Sequence, residues 1–240
     1  MLGKRLVFWY IHKMNGAPLF LIPLCRRILT CVMLLAILAA TAISDSAVDP
    51  VVEYHCRRAA SIFNAHDPNQ RGAAFALDFR SYLRRLDDHG NQIHTDSAEG
   101  RWYFGFGQLD SQTVKYATDK RLRQPINYPP NVFEHQYEFF CFPNDTGGAQ
   151  LAVGFDSDSL DLTSPVGLAL IDRESHKLGQ LYLYYPKKDG YRKYSEFYRM
   201  TTVEGLVFPD STVVAWAKPG IIAFEYYRRE TIISKVTILR

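Results

Sequence analysis

The sequence carries none of the short motifs that announce an active site. It has no G-x-S-x-G elbow and no phosphate-binding P-loop. Gly105-Phe106-Gly107 lacks the third glycine of a dinucleotide fingerprint, and it follows a strand pattern without opening a helix. The histidines beyond residue 42 are His55, His66, His89, His94, His135 and His176, and none stands at zinc-site spacing from another or from a cysteine. His89 and His94 flank a turn signal and read as surface residues. Asp156, Asp158 and Asp161 lack the glycine and terminal glutamate of a calcium loop, so they read as a solvated loop. No catalytic residue, metal or cofactor is expected. A hydrolase whose site one sequence cannot display is the least favoured reading.

Acidic residues are missing from the first 42 positions, where Lys4, Arg5, Lys13, Arg26 and Arg27 are the only charges. Beyond them the balance is 23 basic to 25 acidic, a net of about −2, so nothing electrostatic points to nucleic acid. From Ile28 to Ile43 runs an uncharged apolar stretch, preceded by Arg26-Arg27 and containing the small-x-small triplet Ala40-Thr41-Ala42. Positive charge, apolar run and small residues in that order read as a secretory signal peptide. Uncleaved, the run would be a membrane anchor, though it is short for the roughly 20 residues that span a bilayer. No lipid-attachment cysteine follows it. Residues 1–42 are therefore signal peptide or anchor, and 43–240 form one exported domain in the periplasm or cell envelope. Asn144-Asp145-Thr146 fits a glycosylation acceptor.

Cysteine is scarce, at four in 240 residues, and Cys25 and Cys31 belong to the leader. Cys56 and Cys141 remain for the domain. They read either as one disulfide, which an oxidising compartment permits, or as two buried thiols.

Repeats and low-complexity segments are absent too. What is present is a change of period along the chain. Asp49-Pro50 caps and opens a helix carrying Val52, Cys56, Ala59, Ala60 and Phe63 at helical spacing, ending between Asn64 and Asp67. From Ala73 the period becomes two, with Phe75, Leu77, Phe79 and Leu83 on one parity. Asp87 to Asn91 is a turn, and a return strand follows through Arg101 to Phe104. Residues Asp110 to Pro130 read as a loop or short helix, while Val132 to Phe142 has no clean period. The rest reads as an antiparallel meander: Val166–Asp172, Gln180–Tyr185, Tyr191–Met200, Ser211–Ala217, Ile221–Tyr227 and Thr231–Leu239.

These strands are apolar or aromatic on both parities, which implies that both faces are covered or that one lines a cavity. The candidate ligand-binding residues are Phe75, Leu77, Phe79, Trp102, Phe104, Leu168, Leu170, Leu181, Leu183, Tyr194, Tyr198, Trp216, Phe224 and Tyr226.

The segment from Val166 onward resembles the lipoprotein-sorting family, the LolA/LolB-like periplasmic carriers. The resemblance lies in the order of elements: a strand ending in Ile171-Asp172, a turn, and the strand Gln180–Tyr185. A basic-aromatic strand with Tyr194-Ser195-Glu196-Phe197 follows, then Glu204-Gly205-Leu206-Val207-Phe208-Pro209, a strand, a turn and a final strand. The leader, first helix and early hairpin fit the same layout, whereas Asp110 to Leu160 matches nothing in it. The resemblance implies an α+β fold, a curved antiparallel β-sheet (half-barrel) with helices covering the concave face, whose cavity holds acyl chains. The expected function is non-enzymatic: binding or carrying a lipid or lipidated protein. The alternative is a structural or protein-interaction module with a filled core. Expected partners are a lipid or acylated protein and a membrane-associated protein, with the chain itself a monomer.

Overall fold

The computed structural model describes residues 49–133, 137–141, 148–157, 163–220 and 224–239. The expected leader, the Asn144-Asp145-Thr146 acceptor, Asp158, Asp161 and His135 lie outside the described residues, as does the side chain of Cys141.

The chain begins with helix α1 (Pro50–His66). The Asp49 side chain accepts a hydrogen bond from the Val51 amide at 2.9 Å, and Pro50 occupies the first turn, where its missing N–H costs nothing. Val52, Cys56, Ala59 and Phe63 form the buried stripe. The helix stops at Asp67, ahead of Pro68, because the residue before proline is pushed out of the helical region.

Ten strands follow among the described residues: β1 (Ala74–Leu86), β2 (Gln92–Gly105), β3 (Gln108–Ala117), β4 (Tyr137–Cys141), β5 (Gln150–Ser157), β6 (Val166–Asp172), β7 (Leu178–Tyr185), β8 (Lys193–Val203), β9 (Leu206–Pro219) and β10 (Phe224–Leu239). They make one open antiparallel sheet in the order β3-β2-β1-β10-β9-β8-β7-β6-β5-β4. Each strand pairs with its chain neighbour except at one join, where β1 meets β10 along 13 residue pairs. The hairpins use the expected turn chemistry. Asp87 accepts from the His89 and Asn91 amides, and the β2–β3 turn places Phe106 and Gly107 at φ 49° and 78°. Gly105-Phe106-Gly107 is thus a hairpin turn, not a phosphate loop.

Both core clusters lie on the face that carries α1. Under the helix, Val52, Cys56, Ala59 and Phe63 meet Leu151, Val153, Phe155, Ala169, Ile171, Leu181, Leu183 and Tyr198. Beyond it, Phe75, Leu77, Phe79, Trp102, Leu122, Phe208 and Ile233 form the second cluster. The segment between β3 and β4 runs over this second cluster. It starts with a single 3-10 turn (Lys120–Arg123) that buries Leu122. Further on, Tyr128 donates to the Val207 carbonyl at 2.8 Å.

Several expectations need correction. One α-helix, not several, covers the sheet among the described residues; an extended segment with one 3-10 turn does the rest. The loop or short helix expected over Asp110 to Pro130 begins only after Ala117, with the 3-10 turn; up to Ala117 the stretch is strand β3. It is the outermost strand and exposed on both faces, so it has no burial alternation to display. The untyped stretch from Val132 contains β4, and Asp156 belongs to β5 rather than to a loop. Ile221–Tyr227 and Thr231–Leu239 were expected as two strands; from Phe224 they are one. Arg228-Arg229-Glu230 stays in the ladder because Glu230 pairs with Arg84 at 2.6 Å and Arg229 donates to the Leu122 and Gln124 carbonyls.

Cys56 is a free thiol, 4% exposed, and burial pushes its pKa up to about 12. The bridge to Cys141 is therefore not what the structure holds; Cys56 packs as a small apolar residue on the helix stripe. Cys141 pairs through its backbone with Val153. The folded protein should leave Cys56 unlabelled by a thiol reagent at mildly alkaline pH and expose it on denaturation. A mass shift on the folded protein at Cys56 would contradict this burial.

Candidate functional site

Pairing register brings side chains from four strands into rows across the helix-bearing face. Tyr185 of β7 stands opposite Tyr194 of β8, Tyr194 opposite Trp216 of β9, and Trp216 opposite Tyr227 of β10. At the usual strand spacing of about 4.8 Å this aromatic row spans roughly 14 Å. Its rings touch: Tyr185 and Tyr194 meet edge-on at 5.5 Å, and Trp216 stacks on Tyr227 at 5.5 Å. Trp216 and Tyr194 are half-buried, unlike the core beneath α1.

The neighbouring row runs Leu183, Glu196, Val214 and Arg229. It puts a buried acid and a half-buried base on either side of one valine. Glu196 is 4% exposed and accepts from three tyrosine hydroxyls: Tyr198 at 2.9 Å, Tyr194 at 3.0 Å and Tyr185 at 3.2 Å. Burial, and then the Glu196 charge, pushes all three hydroxyls well above the ordinary tyrosine range, so they remain donors. Arg229 donates to the carbonyls of Arg121, Leu122 and Gln124, while its Nε is buried without a partner. Burial pushes its pKa down to about 10. Arg229 thereby ties the cover segment to the sheet. Cations ring the aromatic row: Lys188 lies over Tyr185 and Tyr194, and Arg121 and Lys218 lie over Tyr227 at 4.7 and 5.2 Å.

The fourteen expected ligand residues divide four ways. Phe75, Leu77, Phe79, Trp102 and Phe104 fill the second core cluster or pack against it, with Phe79 stacked on Trp102 at 3.7 Å. Leu181, Leu183 and Tyr198 lie in the core beneath α1. Tyr194 and Trp216 stand in the open row. Leu168, Leu170, Phe224 and Tyr226 fall on the opposite parity, so the sheet turns them to the other face; Ala169 and Ile171 take the buried positions in β6. The residues the sequence reading missed are Glu196 and Arg229. The signal for the acid was available: Tyr194-x-Glu196-x-Tyr198 puts a charge on the same parity as two aromatics.

The opposite face has a pocket of about 360 Å³ over β1 to β3, lined by charged groups that already pair. Arg101 holds Asp78 at 2.6 and 2.9 Å, and Glu99 takes Lys115 at 2.6 Å and Arg80 at 3.1 Å. It is a self-neutralised surface, unlike the row.

A second polar contact joins α1 to the β6–β7 turn. His55 Nδ1 lies 3.0 Å from His176 Nδ1, so one ring donates and the other accepts, and only one proton fits between them. Tyr54 packs edge-on against both rings. Sequence spacing could not show a pair 121 residues apart. Burial, then His176 and Arg173, lowers the His55 pKa. The unfolded chain therefore binds more protons as pH falls through roughly 6.5, and the stability this contact supplies is present above that pH and lost below it. Urea midpoints should fall between about pH 7.5 and 5.5, and His55→Gln should flatten that slope. An unchanged slope would remove the pair from the pH response.

No family model and no curated protein matches the sequence. Solved structures do match. A LolA superfamily protein from Nitrosomonas europaea shares 9% identity over 79% of this chain and 94% of its own, with a TM-score of 0.34. An outer membrane lipoprotein-sorting protein domain from Vibrio parahaemolyticus shares 8% over 76% and 93%, TM-score 0.38. A DUF1329 family protein from Desulfovibrio piger shares 12% over 80% and 94%, TM-score 0.39. At these values the likeness to those structures is one of outline.

Proposed function

We propose that this protein is a non-catalytic carrier or sensor of the cell envelope, binding the acyl chain of a lipid or lipidated protein on the helix-bearing face of its sheet. In this reading the sheet is a half-barrel, and residues 1–42 direct export and are then removed or kept as an anchor. The observation that carries it is the half-buried centre of the aromatic row, Tyr194 and Trp216, lying between Tyr185 against the first core cluster and Tyr227 in the second, and rimmed by lysine and arginine. Apolar rings would take a chain, and the cationic rim suits a headgroup at a membrane surface. Among the described residues no helix is long and apolar enough to cross a membrane.

Native mass spectrometry of protein purified from membranes should detect bound lipid, and the purified protein should take up a fluorescent fatty acid. Consistent absence of both would overturn the carrier reading. It would favour the alternative, a protein-interaction module with a filled core.

A further inference from the structure

At one end of the aromatic row, three tyrosines form a cup over the buried acid. Tyr185 and Tyr194 stand edge to face, and Tyr191 tilts against Tyr194 at 5.1 Å. Beneath them Glu196 accepts at both carboxylate oxygens. Its partners are all neutral hydroxyls; among the described residues no cation pairs with it. A buried carboxylate held by the hydroxyls of clustered tyrosines, whose rings already take a cation, is the electrostatic complement of an organic ammonium group: the charge attracts it, and the rings bind it without demanding water.

The chain already places such a group there. The Lys188 ammonium lies 4.5 Å from the Tyr185 ring centre and 5.0 Å from that of Tyr194. Lys188 reaches the cup from the β7–β8 hairpin, whose Gly190 takes φ 77° and whose Lys188 carbonyl accepts the Tyr191 amide at 3.0 Å. This lysine is half-buried on a surface hairpin and has no carboxylate partner among the described residues, so it can be displaced without opening the core.

We propose that the Tyr185–Tyr191–Tyr194 cup above Glu196 is a headgroup site for an amphiphile bearing an alkylammonium nitrogen, a choline or ethanolamine type of lipid, and that Lys188 occupies it as an internal stand-in. The inference rests on the carrier reading and adds a ligand class to it. The lipid nitrogen enters the cup, its chain lies along Trp216, and Lys188 swings out into solvent. No bond is made or broken.

The test is calorimetric titration of the purified protein with three amphiphiles of one chain length below their micellar concentrations: dodecylphosphocholine, dodecyl phosphate and dodecyl maltoside. The phosphocholine should bind about tenfold tighter than either other, the range expected for a desolvated cation over aromatic rings. Lys188→Ala should raise phosphocholine affinity several-fold relative to maltoside affinity. Glu196→Gln, checked for folding by circular dichroism, should erase the preference. Equal binding of all three amphiphiles, or no response to Lys188→Ala, overturns the cup and leaves the carrier reading standing. Binding of none overturns the carrier reading, and the cup with it.

Discussion

Replacing Trp102 by alanine should lower the unfolding free energy by about 3–5 kcal/mol, the usual cost of emptying a fully buried large aromatic site. Trp102 is 0% exposed and stacked at 3.7 Å on Phe79, itself 1% exposed. Its indole N–H donates to the Arg123 carbonyl at 3.3 Å, so the substitution also loosens the cover segment. Urea denaturation should show a lower midpoint with an unchanged slope. Trp216→Ala is the matched control, because Trp216 is half-buried in the open row. It should cost about 1 kcal/mol or less, as surface-side truncations do, and weaken amphiphile binding instead. If Trp216→Ala destabilised the protein as much as Trp102→Ala, the row would be core and not a site.

The second large effect belongs to Glu196. Glu196→Leu should cost about 2–3 kcal/mol, because the buried Tyr198 hydroxyl is left without an acceptor. Tyr198→Phe alone should cost about 1 kcal/mol, the net value of one hydrogen bond. The double variant should recover the part of the Glu196→Leu loss that belongs to Tyr198, while the half-buried Tyr185 and Tyr194 hydroxyls still lack their acceptor. A double-mutant cycle on urea midpoints measures the coupling. Strict additivity would mean that the Tyr198 contact contributes nothing, and that the acid is retained for another purpose.

Much of this fold was readable in the sequence where burial is one-sided. The stripe Val52-Cys56-Ala59-Phe63 and the parity of Phe75, Leu77 and Phe79 mark the helix and the first strand, because each has a wet side and a dry side. β3 was unreadable for the opposite reason: Gln108 to Thr113 is exposed throughout, and its place is fixed by pairing with β2 alone. In β6 both parities are apolar, so the sequence could not say that Leu168 and Leu170 face away while Ala169 and Ile171 face in. The aromatic row needed register as well as composition. Tyr185, Tyr194, Trp216 and Tyr227 are spread over 43 positions, and hydrogen bonding between four strands aligns them. Glu196 and Arg229 were hidden because a charge in a strand ordinarily marks the wet side, and here neither does.

The join between β1 and β10 has a kinetic meaning. β1 to β3 hydrogen-bond to the other seven strands only through β10, and the buried Ser81–Thr231 hydrogen bond of 2.7 Å across that seam links residues 150 apart in the chain. Loop-closure entropy makes so distant a pairing slow to form. Until it forms, the hydrogen-bonding edges of β1 and β9 stand open, and any extended peptide can zip onto them. A chaperone that holds those two edges before β10 docks would keep the molecule unassembled, and one that releases them would commit it to its native sheet in a single step.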